Sequence, residues 1–211
     1  MECSTVLRFP DWLNAVVVPL PVQAARRLQR FCDPCDCRLR IYTSILHVEL
    51  FRFRKSIGGL PSTQRFISEL QEAAAQAHPV CGYSRELSTI HLEAWPDEER
   101  WLMMKATGVP GLWDLRTKIA QLARAQGLSG RSSGHPKIFL GQLAVESPDV
   151  SNDKAWAWVN VDKLWVVIDG QVQATIPMKV WRSGERDVLY RAQRVPPRPI
   201  QYIYQPYFYM Q

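Results

Sequence analysis

The chain has 211 residues, of which 46% are hydrophobic and 22% are charged, and its formal net charge is +6. This composition excludes a generally disordered chain, and the lack of a run of about 18 apolar residues excludes a membrane-spanning helix. The basic excess fits an anionic partner such as nucleic acid, and it fits an ordinary solvated surface equally well. Because no secretory signal pattern opens the chain, we expect a soluble, intracellular protein without a membrane partner.

Three of the five cysteines cluster in the sequence CDPCDC, as Cys32, Cys35 and Cys37. A structural zinc site usually takes four ligands from two such knuckles, and only the distant Cys3 and Cys81 remain to supply a second one. We therefore expect reduced thiols and no metal site at these cysteines. We also expect no cofactor.

Hydrophobic periodicity predicts strands and helices in alternation. The elements of the first half are a strand at 14–21, a helix at 22–31, a strand at 44–53 and a helix at 64–77. A hairpin with strands at 86–95 and 100–108 follows, and then a regular helix at 111–127. The last elements are a strand at 135–145 and, within 155–181, two strands around a turn at Asp169 and Gly170. This order predicts an α+β fold.

The strand at 44–53 carries a histidine and a carboxylate on one face. Because successive strand side chains alternate, His47, Glu49, Phe51 and Phe53 point to the same side of the sheet. A buried carboxylate is costly unless it is paired. The pattern therefore predicts a cationic partner for Glu49 on a neighbouring strand.

A second strand repeats this arrangement with the opposite charge. His135, Lys137 and Phe139 share one face, and His135 follows His47 by 88 residues. An internal pseudo-twofold would place the two strands side by side, with both histidines in one cleft. In that arrangement we expect an ion pair between Glu49 and Lys137.

Two opposed histidines suit the cleavage of a phosphodiester bond. One imidazole accepts the proton of the attacking oxygen while the other donates a proton to the leaving oxygen, and histidine does both near neutral pH. The residue two positions after each histidine shares the cleft and reaches the phosphate oxygens.

The sequences HVEL (47–50) and HPKI (135–138) resemble the two histidine motifs of the 2H phosphoesterase superfamily, which includes RNA cyclic phosphodiesterases. The opening AVVVPLP strand, the helix after it and the order of the later elements are similar as well, over about residues 14–145. The resemblance implies a two-lobed, pseudo-symmetric α+β fold with antiparallel sheets and flanking helices. It also implies that His47 and His135 are the catalytic acid and base, with no metal.

The sequence departs from the family at the two positions where a threonine or serine is usual, which are Glu49 and Lys137. Lysine can hold a phosphate as a point charge, whereas an ionised carboxylate cannot donate a hydrogen bond to it. The resemblance implies an RNA phosphodiesterase that acts on a 2′,3′-cyclic phosphate or trims an RNA end, with Lys137 and Glu49 at the substrate. The alternatives are a catalytically degenerate member that binds RNA or belongs to a ribonucleoprotein assembly, and a purely structural protein–protein module.

We assign residues 1–182 to the two-lobed domain, whose lobes meet at a central cleft. Residues 183–211 form a C-terminal tail rich in proline, tyrosine and arginine. Candidate RNA contacts in and before this tail are Lys179, Arg182, Arg186, Arg191, Arg194 and Arg198. Such a segment lies on RNA, docks on a protein partner as an extended chain, or stays solvated.

Overall fold

The computed structural model describes residues 9, 11, 13–30, 37–40, 43–92, 99–109, 111–132, 135–143, 151–152 and 157–179. The described helices are α1 (Val22–Gln29), α2 (Pro61–Gln76) and α3 (Leu112–Ala125). The described strands are β1 (Ala15–Pro19), β2 (Cys37–Arg40), β3 (His47–Phe53), β4 (Val80–Leu92), β5 (Glu99–Gly108), β6 (Gly130–Arg131), β7 (Lys137–Leu143), β8 (Ser151–Asn152), β9 (Ala157–Val161), β10 (Lys163–Ile168) and β11 (Gln171–Pro177). None of the helices in these ranges is long and apolar enough to cross a membrane.

The strands form one sheet in the order β11-β10-β1-β3-β7-β5-β4-β8, with β2 beside β7, β6 beside β3 and β9 beside β4. The pairings along this sheet are antiparallel. Since β1 flanks β3 and β5 flanks β7, the sheet consists of two halves that meet at the β3–β7 pair.

The two halves repeat one pairing. Val17 is the partner of Glu49 across β1 and β3, and Lys105 is the partner of Lys137 across β5 and β7. Each residue of the second pair follows its counterpart in the first by 88 positions. Glu49 and Lys137 are themselves partners across β3 and β7, so an approximate twofold axis passes between them. The expected internal repeat, with its two histidine strands side by side, is confirmed.

The helices cover the sheet with the apolar stripes that their periodicity predicts. Phe66 and Leu70 of α2 are buried, as are Leu112 and Ile119 of α3. Helix α2 begins with Pro61, whose missing N–H costs nothing in the first turn of a helix. Helix α3 contacts both α2 and β3, which brings it beside the central strand pair.

The segment 155–181 contains three strands in the structure, whereas the sequence predicted two. Strand β9 pairs with β4, and β10 pairs with β1. Because the chain changes neighbours at Asp162, one apolar run becomes two strands. The turn predicted at Asp169 and Gly170 is confirmed, with φ angles of 49° and 72° that suit a two-residue hairpin.

Several sequence predictions fall outside the described residues. These are the CDPC part of the cysteine cluster, the boundary at residue 182, and the tail at 183–211. Cys37 lies in β2, and the short strands β6 and β8 have no periodic signal in the sequence.

Candidate functional site

The centre of the site is the cross-strand pair of Glu49 and Lys137. Their backbones are directly opposite in the antiparallel β3–β7 ladder, next to the pair of Val48 and Ile138. Val48 and Ile138 are fully buried, whereas Glu49 and Lys137 are half-buried. The alternation of each strand therefore sends the apolar pair into the core and the charged pair to the opposite face.

A β-bulge in β3 changes which side chains join Glu49 on its face. The register to β1 shifts between Val16, the partner of Phe51, and Val17, the partner of Glu49. One extra residue in a bulged strand inverts the alternation beyond it. Phe51 therefore turns into the core, and Arg52 takes the place on the face of Glu49. The sequence predicted that Phe51 and Phe53 share the face of His47 and Glu49. This prediction is wrong for both phenylalanines, which are buried in the core.

Arg52 is the ion-pair partner of Glu49. Its Nε donates to Oε2 of Glu49 at 2.9 Å, and Nη2 donates to the same oxygen. Both side chains are mostly buried, so the contact is a charge-assisted pair rather than a surface one. The expected ion pair between Glu49 and Lys137 is not formed within the described part of the chain, because the bulge presents Arg52 to the carboxylate first.

His47 is buried at the start of β3, with 5% of its surface exposed. Its Nδ1 lies 2.7 Å from the carbonyl oxygen of Ile45, which can only accept, so Nδ1 carries the hydrogen and Nε2 is the basic nitrogen. The Phe9 ring packs edge-on against it at 5.3 Å. Burial lowers the pKa of His47, although the hydrogen bond to Ile45 and the charge of Glu49 act in the other direction.

His135 is exposed and lies two residues before β7, with Pro136 between them. The centre of its ring lies 5.8 Å from the centre of the Trp113 ring, and the two ring planes are inclined by 60°. Unlike His47, it lines a cavity on the face of Glu49 and Lys137. His47 is thus the first residue of β3, whereas His135 lies just before β7. The expectation that both histidines line one cleft is not met at this cavity, because His135 is in its wall and His47 is buried beside Phe9.

This cavity has a volume of about 90 Å³, and we call it the basic cavity. It is lined by Glu49, Leu50, Arg52, Arg116, Arg131, Ser132, His135, Lys137 and Phe139. Four of these side chains are cationic and one is a carboxylate, so the lining carries a formal charge of +3 when His135 is neutral.

The fold brings these cations together in spite of their repulsion. Arg131 of β6 is the partner of Arg52 of β3, and Lys105 is the partner of Lys137. Like charges that are directly opposite in a sheet are destabilising. Burial lowers the pKa of Lys137, and Arg131, Arg116 and Lys105 lower it further while Glu49 raises it. A bound anion would relieve this repulsion.

Arg116 is the least exposed of the cavity cations, at 4%. Its guanidinium carbon lies 4.9 Å from the centre of the Trp113 ring. Burial lowers the pKa of Arg116, and the charge of Glu49 acts in the opposite direction. A buried guanidinium with fixed geometry is suited to bind an oxyanion through two parallel hydrogen bonds.

Of the predicted site residues, Glu49, Lys137 and His135 lie together at the basic cavity, and His47 lies beneath Phe9. Lys179 is exposed, and the other five predicted RNA contacts lie outside the described residues. No group of three or more His, Cys, Asp or Glu side chains that could hold a metal occurs in the ranges that the structure describes.

Three arginines of the cavity were not predicted from the sequence. Arg116 had a usable signal, because it lies on the buried stripe of α3 with Leu112, Ile119 and Ala120; a charge on an apolar stripe usually has a partner or a ligand. Arg52 had no such signal in the sequence, because only the bulge places it on the face of the site. Arg131 had none either, since β6 is a two-residue strand.

No protein-family model and no curated protein matches the sequence. The structure is similar to that of TT0787 from Thermus thermophilus, with a TM-score of 0.53, 16% identity, and coverage of 81% of this chain and 100% of that one. It is equally similar to a crystal structure of a phosphoesterase, with a TM-score of 0.53, 14% identity and coverage of 81% and 97%. E. coli LigT complexed with 3′-AMP matches with a TM-score of 0.46, 16% identity and coverage of 81% and 96%.

At these identities the likeness is one of fold. The paired β3 and β7 strands, the antiparallel sheet on each side of them and the repeat at 88 positions agree with it. The chain therefore has the two-lobed, pseudo-symmetric α+β fold of the 2H phosphoesterases.

Proposed function

We propose that the protein binds the terminal phosphate of a single-stranded RNA in the basic cavity. The observation that carries this proposal is the charge of the lining, in which Arg52, Arg116, Arg131 and Lys137 surround a single carboxylate, Glu49. Arg131, Arg116 and Lys105 each lower the pKa of Lys137 by charge repulsion, and a bound anion would relieve this repulsion. The net charge of the chain, +6, is compatible with a polyanionic partner such as RNA.

The size of the cavity supports a phosphate group rather than a whole nucleotide. The cavity, at about 90 Å³, has room for several waters. A terminal phosphate enters such a space, while the sugar and base remain outside it. A chain of RNA would then extend from the cavity over the neighbouring surface.

Glu49 does not oppose this binding, because Arg52 neutralises it. Both nitrogen donors of Arg52 bind the same carboxylate oxygen. The other cations of the cavity lining are Lys137, Arg116 and Arg131. In this arrangement Lys137 takes the place of a hydroxyl donor and binds the phosphate by charge.

A second candidate function is cleavage of an RNA phosphodiester, such as a 2′,3′-cyclic phosphate. The tautomer of His47 favours it, since Nδ1–H donates to Ile45 and Nε2 is free of a proton. The lowered pKa keeps this imidazole neutral near pH 7, as a general base requires. Binding remains the leading proposal because His135 lines the basic cavity and His47 is not part of its lining.

The experiment is a titration of the histidine ring signals by NMR with a short RNA that ends in a 3′-phosphate. We expect the imidazole signals of His135, assigned with the His135→Gln variant, to shift on binding. The ring of His78, which is exposed and lies at the end of α2, is the internal control. Unmoved His135 signals at saturating RNA would contradict the proposal.

The second candidate function is tested with a different RNA end. With a 2′,3′-cyclic phosphate end, turnover that falls by about 10²–10⁴-fold in both His47→Ala and His135→Ala would establish acid–base catalysis. Binding without turnover in the wild-type protein would establish the degenerate, RNA-binding alternative.

A further inference from the structure

Trp113 on α3 is exposed to an unusual extent for a tryptophan. It leaves 52% of its surface in solvent, whereas Trp165 leaves 8%. Helix α3 buries a complete apolar stripe without using Trp113, so the packing of the helix does not require an aromatic residue at this position.

The two charged or titratable neighbours of the Trp113 ring both line the basic cavity. The guanidinium carbon of Arg116 lies 4.9 Å from the ring centre, and the ring of His135 lies 5.8 Å from it. Arg116 and His135 are separate parts of the cavity wall, one from α3 and one from the start of β7. The exposed ring of Trp113 is therefore next to two residues that line the proposed phosphate site.

We propose that Trp113 is a stacking site for the nucleobase of the RNA residue whose phosphate occupies the basic cavity. This inference rests on the proposed function and adds the substrate class, namely a nucleotide rather than a bare phosphate. Bases stack on aromatic side chains through their π-faces, and this contact does not depend on the identity of the base. The phosphate and the base are attached to different sides of a ribose. One nucleotide can therefore place its phosphate in the cavity and its base on the adjacent Trp113 ring.

The arrangement also predicts how Arg116 contributes. Its guanidinium lies over the ring in a cation–π contact, and this contact favours one position of the Trp113 ring before the ligand arrives. A fixed aromatic surface loses less conformational entropy on binding than a mobile one. Arg116 is thus a positioning residue for Trp113 as well as a cation of the cavity.

The test compares two short RNAs that end in a 3′-phosphate and differ only in the last nucleotide, which is either intact or abasic. Affinities of the full chain are measured by calorimetry for the wild type, Trp113→Ala and Trp113→Tyr. We expect Trp113→Ala to bind the intact RNA about tenfold more weakly or worse, to bind the abasic RNA as the wild type does, and Trp113→Tyr to recover most of the loss.

The outcomes separate this inference from the proposed function. If Trp113→Ala binds both RNAs as the wild type does, while loss of Lys137 still weakens both, the stacking site is refuted and the phosphate site stands; Trp113 is then a contact for another macromolecule or an ordinary surface residue. If the wild type binds neither RNA, both proposals are overturned. Because Trp113 is largely exposed, circular dichroism of Trp113→Ala is expected to match the wild type.

Discussion

Glu49 and Lys137 are partners across the β3–β7 pair, yet the carboxylate of Glu49 is bound by Arg52, three residues along its own strand. The backbone register alone would pair the two residues at the pseudo-twofold axis. The bulge between Glu49 and Phe51 gives the carboxylate a nearer cation and leaves Lys137 facing the basic cavity. The structure therefore pairs Glu49 with Arg52, and Lys137 lines the cavity beside them.

The first prediction concerns the coupling of Glu49 to each cation. In double-mutant cycles from urea unfolding, we expect Glu49 and Arg52 to show a coupling energy within the range of about 0.5–3 kcal/mol that contacting residues give. Glu49 and Lys137 should show a clearly smaller one, because they interact only at longer range. A coupling to Lys137 equal to or larger than that to Arg52 would contradict the ion-pair assignment.

The second prediction is a dependence of stability on pH that comes from His47. Because its pKa is lowered in the folded protein, the unfolded chain binds a proton more readily below its ordinary value of about 6.5. Stability is therefore full above about pH 6.5 and falls as the pH drops toward the folded pKa. Urea unfolding at about pH 7.5 and about pH 5.5 should show a smaller loss in His47→Asn than in the wild type.

The asparagine amide keeps a donor near the position of Nδ1 and cannot titrate, so it isolates the proton from the hydrogen bond to Ile45. An unchanged pH dependence in His47→Asn would mean that the imidazole is solvated in the folded protein.

The third prediction concerns Gly130, which lets β6 approach β3. A Cβ at this position would lie 2.3 Å from the ring of Phe51 and 2.6 Å from the carbonyl oxygen of Arg52. We expect Gly130→Ala to cost about 3 kcal/mol, at the upper end of the range for overpacking. It should also weaken RNA binding, because Arg131 moves with β6.

Gly127→Ala is the matched control, since Gly127 has a φ of 68° and no atom within 4 Å of an added Cβ. Its cost is the left-handed backbone alone, about 1 kcal/mol, and RNA affinity should not change. Equal losses of stability in the two variants, measured by thermal or urea unfolding, would show that β6 does not pack closely on β3.

The placement of the two histidine strands was predictable because it follows from symmetry, whereas the cavity was not. Two similar strands 88 residues apart in similar contexts pair about a twofold axis, and this relation puts Glu49 opposite Lys137. The bulge depends on how β3 pairs with β1, and the alternation of residues in the sequence does not predict it. Arg52 therefore could not be assigned to the cavity from the sequence. Arg116, in contrast, is recognisable as a charged residue on a buried helical stripe.

The fourth prediction concerns the C-terminal segment. A chain that ends at Trp181 lacks Arg182, Arg186, Arg191, Arg194 and Arg198. If these residues bind RNA, log K plotted against log salt between about 50 and 200 mM becomes shallower by about 0.7 for each phosphate that is no longer neutralised. An identical slope and affinity in the shortened chain would assign the segment to a protein partner or to neither role.

The central claim is that the basic cavity binds a terminal phosphate, and one affinity comparison tests it most directly. A single-stranded RNA with a 3′-phosphate and the same RNA with a 3′-hydroxyl are titrated into the wild type, Lys137→Gln and Lys118→Gln, where Lys118 is an exposed lysine of α3 outside the cavity lining. We expect the wild type and Lys118→Gln to prefer the phosphate end by about tenfold or more, as a charge-assisted contact of about 1.5–3 kcal/mol implies, and Lys137→Gln to lose this preference. Equal affinity of the wild type for the two ends, or an undiminished preference in Lys137→Gln, would contradict the central claim.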